Sequence, residues 1–455
     1  MGTRLGAHQL DEVVLLGIDV GTTFCKAAVV APDGRELAHG RARTPWQPVR
    51  TGAEIAPDAL VRVACEAAEA ALAAGPGARI AGVGVTSMAE TGVLLGRDGR
   101  PVAAAIAWHD ARGEQEGERL GHALGQERFV ATTGLPVSRL CSATKYSWMM
   151  NHIPQGAGGV RWLNVAEWVV RELGGEEAAE LSLTSRTGWL DRSRRGIWAE
   201  ALDASGAPAS LLPDPVLAGT DLGRVTRGPE GLRGAAITIA GHDHVCASVG
   251  AGAMGTVEVF NSCGTAEAYV RAVDAPISGA DAARAVSGGV AAGCHVVPDK
   301  DALMGGFTSG LVLDRWLRVL GKEDVDRDAL DEAALSLPPD GLVIDEGPAQ
   351  RSDAAGLPEG GSPEQVWRSV IESLARRGRS VLTTIEEVSG PSPGLVVTGG
   401  VTRGRAFREI KRRIVAPFVV ASVEEAGARG AALLGGCAAG IYPDVTSVPE
   451  PLRED

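Results

Sequence analysis

The sequence has no excess of basic residues. Its 44 lysines and arginines stand against 57 aspartates and glutamates, which gives a formal net charge of -13 at pH 7. Proteins that bind nucleic acids usually present a basic surface to the phosphate backbone, so this balance predicts no nucleic-acid partner. It does not exclude one bound nucleotide, because backbone N–H groups and a metal ion hold phosphates without many cationic side chains.

Paired cysteines and long apolar runs are also missing. The seven cysteines are scattered and form no C-x-x-C pair, which is typical of reduced thiols in a cytoplasmic protein. No segment approaches the roughly 20 apolar residues of a membrane-spanning helix. Residues 1–12 are polar, lack the apolar stretch of a signal peptide and are expected to form a flexible extension. We therefore predict a cytoplasmic protein that binds no membrane.

Aromatic residues are scarce, at 4%, whereas length and apolar content are ample. The chain is 45% hydrophobic and 22% charged, which is the composition of a globular protein. Its 455 residues exceed what one ordinary hydrophobic core accommodates. Two domains are therefore expected.

A strand, a Gly-Thr turn and a second strand follow one another twice along the chain. The apolar run at 13–18 predicts a buried strand, which breaks at Gly21-Thr22-Thr23 before β-type residues resume. The same pattern returns at 255–270, where the strand breaks at Gly264-Thr265. This weak internal duplication indicates two similar domains that face each other. We place their boundary near residue 234, which gives units of 13–234 and 235–455.

The first turn combines residue types that bind phosphate. Asp19, at a strand end, carries a carboxylate suited to a hydrated Mg²⁺. The glycine lets backbone N–H groups approach phosphate oxygens, and the hydroxyls of Thr22 and Thr23 add donors. Lys26 adds a positive charge. An ordinary β-turn is the alternative interpretation.

Two further glycine turns extend this prediction. Gly264-Thr265 offers the same chemistry from the second hairpin, and Gly399-Gly400, between a strand and a basic helix, suits the close approach of a nucleobase or ribose. Plain tight turns are the alternatives at both places. The G-x-G-x-x-G spacing of a Rossmann dinucleotide site is absent from these turns.

Acidic residues at strand ends are the candidates for chemistry on a substrate. Asp243, between His242 and His244, is placed to take a proton from a hydroxyl as that oxygen attacks phosphorus. A helix N-cap is the alternative role for this aspartate. The His-Asp-His sequence also suggests zinc, but such a site needs more ligands.

A second group of polar residues follows strands in the first predicted domain. Glu90, Asp110 and Arg112 are of the types that hydrogen-bond vicinal hydroxyls. Trp108 offers an apolar face to the C–H groups of a sugar. A solvated surface salt bridge beside a core tryptophan is the alternative interpretation.

Taken in order, these motifs resemble those of the FGGY carbohydrate kinases, which belong with hexokinase, actin and Hsp70 to one superfamily of ATPases. The resemblance runs over nearly the whole chain. The matching segments are GIDVGTTFCK (17–26), TSMAET (86–91), AWHDAR (107–112), GLPVSRLCSATK (134–145), AGHDHVCASVGAG (240–252), NSCGTAEAY (261–269), MGGFTSGLVLDRWL (304–317), VVTGGVTRGRAFREI (396–410) and EEAGARGAALLGGCAAGIY (424–442).

The resemblance implies an α/β fold with two ribonuclease H-like domains and a cleft between them that closes on binding. It implies ATP-dependent phosphorylation of a small sugar or polyol, with Asp243 as the catalytic base and Asp19 orienting Mg²⁺. Together with the arguments above, it predicts ATP contacts at Thr22, Thr23, Lys26, Gly264, Thr265, Gly310, Gly399 and Gly400. The predicted sugar-side residues are Ala89, Glu90, Trp108, Asp110, Arg112 and His244.

Departures from the family pattern bear on the substrate. Xylulose kinases of the family usually carry Gln-Met-His-Gly at 87–90, where this chain has Ser-Met-Ala-Glu. Glycerol kinases have Arg-Glu at the last two of these positions, and only Glu90 is kept here. His244 replaces the usual Asn or Gln, a form closer to the fuculose-kinase-like branch. The pattern therefore indicates neither xylulose nor glycerol specifically.

Two other functions are compatible with the same motifs. One is a non-catalytic sensor of sugar or nucleotide, and the other is an ATPase of the Hsp70 or actin kind, in which water attacks the phosphate. Dimers are common among the FGGY kinases, so a homodimer is the assembly to test for. ADP, ATP and a small sugar or polyol are the predicted binding partners.

Overall fold

The computed structural model describes residues 13–154, 158–322, 327–338 and 361–454. The predicted extension at 1–12 and most of a polar loop expected at 340–363 lie outside the described residues. Among the described residues, no helix combines the length and apolar character that crossing a membrane requires.

Short strands and helices alternate along the first part of the chain. The strands are β1 (Val13–Val20), β2 (Phe24–Val30), β3 (Glu36–Arg43), β4 (Gln47–Val49), β5 (Gly52–Ile55), β6 (Arg79–Ser87), β7 (Gly92–Gly96), β8 (Ala105–Ile106), β9 (Gly159–Asn164), β10 (Ala179–Glu180), β11 (Leu190–Asp191), β12 (Gly196–Ile197), β13 (Pro215–Val216) and β14 (Ala236–His242). The helices are α1 (Pro57–Ala74), α2 (Glu114–Leu124), α3 (Gln126–Thr133), α4 (Ser142–His152), α5 (Val165–Leu173), α6 (Leu181–Thr184), α7 (Ala199–Ala204) and α8 (Asp243–Gly250).

The second part has longer helices. Its strands are β15 (Val259–Cys263), β16 (Ala266–Asp274), β17 (Ala291–Cys294), β18 (Lys300–Thr308), β19 (Leu395–Thr398), β20 (Phe418–Ala421) and β21 (Arg453–Glu454). Its helices are α9 (Gly279–Ser287), α10 (Gly310–Val319), α11 (Arg327–Ser336), α12 (Pro363–Ser389), α13 (Arg405–Ile414) and α14 (Ala426–Ala438). Single 3₁₀ turns are found at Glu230–Leu232, Gly400–Arg403 and Val445–Ser447.

Two sheets carry the same strand arrangement, which confirms the internal duplication. The first sheet has the order β14-β6-β1-β2-β3, and the second contains β20-β19-β15-β16-β18 within seven strands. In both, the hairpin strands are antiparallel, and the two strands beyond them are parallel to the first hairpin strand. The Gly-Thr turns close the two corresponding hairpins.

Local sequence explains why the long helices form where they do. Helices α1 and α12 both place a proline in their first turn, where no intrahelical N–H partner is lost. At α12 the Ser362 and Gln365 side chains also form a reciprocal capping box. The helical periodicity of the sequence predicts helices at 57–74, 363–389 and 405–414, and helices α1, α12 and α13 confirm these bounds.

Helices α8 and α14 lie between the two sheets and pack against each other. Their apolar residues share one core with residues of both sheets, such as Leu15 of β1 and Phe260 of β15. Helix α14 packs so closely on β1 that a Cβ at Gly17 would lie 1.8 Å from the Ala428 carbonyl oxygen. This close approach needs glycine on the strand and small residues on the helix.

The chain passes from the first sheet to the second at 243–258. Strand β14 pairs with β6 in parallel and therefore belongs to the first sheet. As a consequence, Asp243 follows directly from the edge strand of the first sheet. The domain boundary near residue 234 stays a prediction.

Candidate active site

Asp19 lies near the end of β1, opposite Lys26 of β2. Its carboxylate is buried, and its Oδ1 atom has no hydrogen-bond partner among the described residues. Burial, and then the nearby charge of Asp243, raises the pKa of Asp19 to about 8. A buried carboxylate oxygen without a protein partner fits a Mg²⁺ site, because Mg²⁺ usually takes one or two carboxylates and completes its shell with water and substrate phosphates.

Lys26 reaches from β2 to the start of α14. Its Nζ atom lies 2.6 Å from Oε2 of Glu425, the N-cap residue of that helix. Burial lowers the pKa of Lys26, but the Glu425 carboxylate outweighs it, so the pKa lies above its usual value. Lys26 therefore remains a cation beside the first turn.

Side chains from neighbouring loops donate hydrogen bonds to the first turn. The indole N–H of Trp46 donates to the Thr22 carbonyl oxygen at 2.7 Å, and the Thr44 hydroxyl donates to the Gly21 carbonyl oxygen at 2.8 Å. The indole N–H of Trp108 donates to the Thr22 hydroxyl at 3.0 Å. These contacts fix the turn from one side, and backbone N–H groups at 21–23 donate no hydrogen bond to the described residues.

Asp243 is the first residue of α8 and follows β14 directly. Its Oδ1 atom accepts the backbone N–H of His244 at 2.7 Å and lies 3.2 Å from Nε2 of His242. Burial raises the pKa of Asp243, although the charge and N–H of His244 oppose it. The N-cap position of α8 is occupied by His242, and the second carboxylate oxygen of Asp243 accepts no hydrogen bond from the described residues.

An open cavity of about 200 Å³ joins the first turn to Asp243. Its wall contains the predicted residues Thr22, Ala89, Glu90, Trp108, Asp243 and His244. Met88, Leu140, Arg186, His242 and Met304 complete it. Polar groups therefore converge on one space that also has apolar walls, as in most small-molecule sites.

Glu90 is held in an uncommon backbone conformation at the rim of this cavity. Its φ angle is 61°, in the left-handed region that non-glycine residues seldom adopt. Its Oε1 atom accepts the Nε–H of Arg186 at 2.7 Å. The sequence prediction missed Arg186, which lies in no recognisable motif and is 96 positions from its partner.

The structure does not bring Asp110 and Arg112 into the cavity. The Asp110 carboxylate is fully buried. It accepts hydrogen bonds from the Arg112 guanidinium, the Thr51 hydroxyl and the Ala53 N–H. Burial raises the pKa of Asp110, but these bonds from Arg112 outweigh it and the pKa falls below its usual value. Arg112 also contacts Glu54 and lies over the ring of Trp148. Sugar contacts at Asp110 and Arg112 therefore stay a prediction, since the two side chains bond to each other and to residues of β5 and do not line this cavity.

A second cavity, of about 290 Å³, lies at the second hairpin. It is lined by four predicted nucleotide residues, namely Gly264, Thr265, Gly310 and Gly400. Leu313, Asp314, Arg327 and Val401 were not predicted and complete the wall. A Cβ at Gly400 would meet no atom within 4 Å, so a side chain at this position would have free space in the cavity.

Gly399 does not line the second cavity but packs against the backbone of the second hairpin next to it. Its φ angle is 104°, and a Cβ there would lie 2.3 Å from the Cys263 carbonyl oxygen. The end of β19 thus approaches the second hairpin as closely as backbone allows. Only glycine satisfies both conditions.

A chamber of about 380 Å³ adjoins the first cavity, the one that contains Asp243. It shares Trp108, Leu140, Arg186, His244 and Met304 with that cavity and is otherwise mostly apolar. On the far side its wall includes Ala266, which follows directly on Thr265 of the second turn. The chamber therefore lies between the Asp243 side and the second hairpin.

No metal cluster of protein side chains accompanies these cavities. Within the part of the chain that the structure describes, no three His, Cys, Asp or Glu residues are grouped as metal ligands. The rings of His242 and His244 lie edge to face, with their centroids 5.7 Å apart. A metal at this site would therefore depend on bound phosphates for much of its shell.

Comparison with known proteins places this arrangement in a family. The model of the N-terminal domain of the FGGY family of carbohydrate kinases matches residues 14–250. The chain belongs to this family. The family's members are kinases that use ATP, so this FGGY protein is a carbohydrate kinase, and the predicted activity class is confirmed. Family membership argues against the alternative ATPase of the Hsp70 or actin kind.

Individual relatives agree with the family assignment. A glycerol kinase from Renibacterium salmoninarum is 28% identical over 403 residues, which cover 83% of this chain and 79% of that protein. A solved xylulose kinase from Rhodospirillum rubrum has a TM-score of 0.83 at 22% identity and covers 97% of this chain and 94% of its own. Plasmodium falciparum glycerol kinase with ADP has a TM-score of 0.81 at 18% identity, covering 97% and 93%. These structures confirm the predicted fold, two domains of the actin-like ATPase kind.

Proposed function

We propose that this kinase transfers the γ-phosphoryl group of ATP to a hydroxyl of a small sugar or polyol, with Asp243 as the general base. The observation that carries the proposal is the cavity in which Asp243, Glu90 and Thr22 meet. It brings a base, a hydroxyl-binding carboxylate and the phosphate turn to one space. A sensor of sugar or nucleotide needs no base beside the phosphate turn.

ATP would bind between the two hairpin turns. The threonine turn at 21–23 offers backbone N–H groups and hydroxyls to the phosphates, and Gly264-Thr265 approaches from the second sheet. The adenosine would lie in the second cavity over Gly310 and Gly400. Cations at the phosphates would come from Lys26 and from Mg²⁺.

Asp19 is the residue that would hold the metal. Its unpartnered Oδ1 atom and its position at the first turn fit a Mg²⁺ that is mostly coordinated by phosphate and water. When bound, the metal neutralises charge on the phosphate oxygens. The neighbouring Lys26–Glu425 ion pair is complete without it.

The proton transfer would use the free oxygen of Asp243. As the acceptor oxygen bonds to the γ-phosphorus, its proton passes to the Asp243 carboxylate, and the bond from phosphorus to the β–γ bridging oxygen breaks to release ADP. The raised pKa of Asp243 makes its carboxylate a better base than an exposed aspartate. Met88, Leu140 and Met304 provide the apolar walls that keep competing water away.

The acceptor belongs to the small sugars and polyols. Glycerol kinases and a xylulose kinase are among the proteins to which the chain is similar. Ala89 and Glu90 line the acceptor cavity, and the adjoining chamber offers room beyond a three-carbon polyol. We therefore favour pentuloses, hexuloses and polyols of similar size, with ketoses of the fuculose type included.

A coupled assay for ADP tests the proposal. The protein would be mixed with Mg²⁺, ATP and a panel of ketoses, aldoses, polyols and sugar acids, and ADP release would be followed for each. We expect ADP formation that depends on one acceptor class and a phosphorylated product in the mass spectrum. Binding of ATP and of a sugar without any turnover would instead identify a sensor.

A further inference from the structure

Arg186 places a guanidinium in the acceptor cavity at a position that no motif indicated. Its Nε and Nη2 atoms both lie 2.7 Å from Oε1 of Glu90. The two side chains are only 14% and 12% exposed. The contact is therefore a largely buried, charge-assisted pair inside the cavity wall and not a surface ion pair.

The pair leaves one group of each residue unused. The second carboxylate oxygen of Glu90, Oε2, and the Nη1 group of Arg186 have no hydrogen-bond partner among the described residues. Both residues line the cavity that contains Asp243. The pair thus leaves one acceptor and one donor without a protein partner in the wall of this cavity.

The segment that carries Arg186 is anchored at several points. The Glu180 carboxylate accepts the Ser182 hydroxyl at 2.6 Å and the Leu183 N–H at 2.9 Å, which starts helix α6. The Ser182 hydroxyl accepts the backbone N–H of His242 at 2.9 Å, directly before Asp243. Arg186 is therefore positioned by the same short segment that fixes the approach to the catalytic base.

The same segment also contacts the second half of the molecule. The Ser185 hydroxyl accepts the backbone N–H of Cys294 at 3.1 Å. The backbone at 182–185 is therefore tied to both sheets, and the Arg186 side chain is held by its contact with Glu90. A guanidinium that is held this firmly on a cavity wall is preorganised for a ligand.

Neighbouring side chains leave room for this guanidinium. Ala89, directly before Glu90, is buried in the same wall and carries only a methyl group. Leu140 and Trp108 offer no charge or acceptor carboxylate to Arg186. Among the described residues, Glu90 is therefore the hydrogen-bonding partner of Arg186 in the wall.

We infer that Arg186 is a substrate-binding residue and that the Arg186–Glu90 pair selects acceptors with two adjacent hydroxyl groups beside the one that is phosphorylated. One hydroxyl donates to Oε2 of Glu90, and its neighbour accepts from Nη1 of Arg186. This inference rests on the proposed kinase function and narrows its substrate class to vicinal diols. A purely structural ion pair is the competing explanation.

Three variants separate binding from structure. Arg186→Met removes the donor and keeps the length of the side chain. Arg186→Lys keeps the charge but loses the planar fork that serves Glu90 and a substrate together. Arg194→Met is the matched control, because Arg194 is 85% exposed and pairs with Asp191 on the surface.

The measurement is steady-state kinetics with the preferred acceptor of the panel and its mono-deoxy analogues. Loss of a charge-assisted hydrogen bond predicts that Arg186→Met raises the acceptor KM by about 10- to 100-fold. The KM for ATP should change less than about twofold, because Arg186 lies on the acceptor side. Arg186→Lys should remain close to Arg186→Met, and Arg194→Met should behave as the wild type.

The deoxy analogues give the decisive contrast. The wild type should disfavour the analogue that lacks a hydroxyl bound by the pair, whereas Arg186→Met should treat that analogue and the parent acceptor almost equally. An unchanged acceptor KM in Arg186→Met, or full recovery in Arg186→Lys, would overturn the inference. If Arg186→Met does not fold, the same contrast in Arg186→Lys decides. A wild type that phosphorylates no acceptor would instead contradict the proposed function.

Discussion

The two hairpin turns share a topology but differ in chemistry. In the first, the turn carbonyls accept from Thr44 and Trp46, and the strand beneath carries the unpartnered carboxylate of Asp19. In the second, the Gly264 carbonyl accepts the N–H of Gly310 at 3.2 Å, so the turn supports the start of α10. The two hairpins share a backbone arrangement, whereas the residues proposed for the metal and the acceptor lie before the second sheet.

The charged pairs beneath the turns show the same contrast. Lys26 pairs with Glu425 across the two halves, and both side chains remain partly exposed. Lys411 pairs with Glu267 inside the second half, where both are almost fully buried and Tyr269 donates to the same carboxylate. The first pair is open to solvent beside the turn at 21–23, whereas the second is closed off from solvent.

Stability measurements should separate the two pairs most strongly. Lys411→Met leaves the Glu267 charge buried without its cation, so we expect the free energy of unfolding to fall by about 3–5 kcal/mol. Lys26→Met breaks a partly solvated pair and should cost about 1 kcal/mol or less. Denaturant titration of both variants measures the difference. Similar losses would contradict the division into a closed and an open pair.

Asp19→Asn tests the metal assignment in the first half. The amide keeps the shape of the side chain but removes the charge, so kcat should fall by about 100-fold or more and half-activation should require more Mg²⁺. Activity would be measured over a Mg²⁺ titration. Asp33→Asn, in the exposed turn between β2 and β3, is the control and should leave the Mg²⁺ dependence unchanged. An unaltered Mg²⁺ dependence in Asp19→Asn would remove this residue from the metal site.

Gly400→Val tests the nucleotide assignment in the second half. A side chain at this position enters the second cavity, so the KM for ATP should rise by about tenfold while the acceptor KM stays within about twofold. Gly255→Val, at an exposed position with open space around its Cβ, is the control. Equal effects on both KM values would mean that the two cavities do not divide donor from acceptor.

The hairpins were predictable because their signals are local. A buried apolar strand, a Gly-Thr break and a second strand specify a hairpin within about twenty residues, and the prolines and capping residues of α1 and α12 specify helix starts in the same way. The position of β14 in the first sheet has no local signal, because this strand pairs with β6, some 150 positions earlier in the chain. No local signal at 236–242 therefore indicates which sheet this strand joins.

The candidate site was predictable where a motif carries the residue. Thr22, Glu90, Trp108, Asp243 and His244 line one cavity as expected. The sequence left a surface salt bridge as the alternative role of Asp110 and Arg112, and the structure pairs them, although the Asp110 carboxylate is buried. Arg186 was missed because only the fold brings it to Glu90. Residue types indicate the chemistry that each side chain could perform. Burial and ion pairing determine which side chains are accessible to a ligand.

The role of Asp243 is tested most directly by single-turnover transfer of phosphate from ATP to the preferred acceptor. In Asp243→Asn we expect the transfer rate to fall by about 10²- to 10⁴-fold, because the amide cannot take the hydroxyl proton, while ATP binding stays close to the wild type. Asp58→Asn, an exposed aspartate in the first turn of α1, should transfer at the normal rate. An Asp243→Asn variant that retains most of the transfer rate would contradict the assignment of the base and the account of the site built on it.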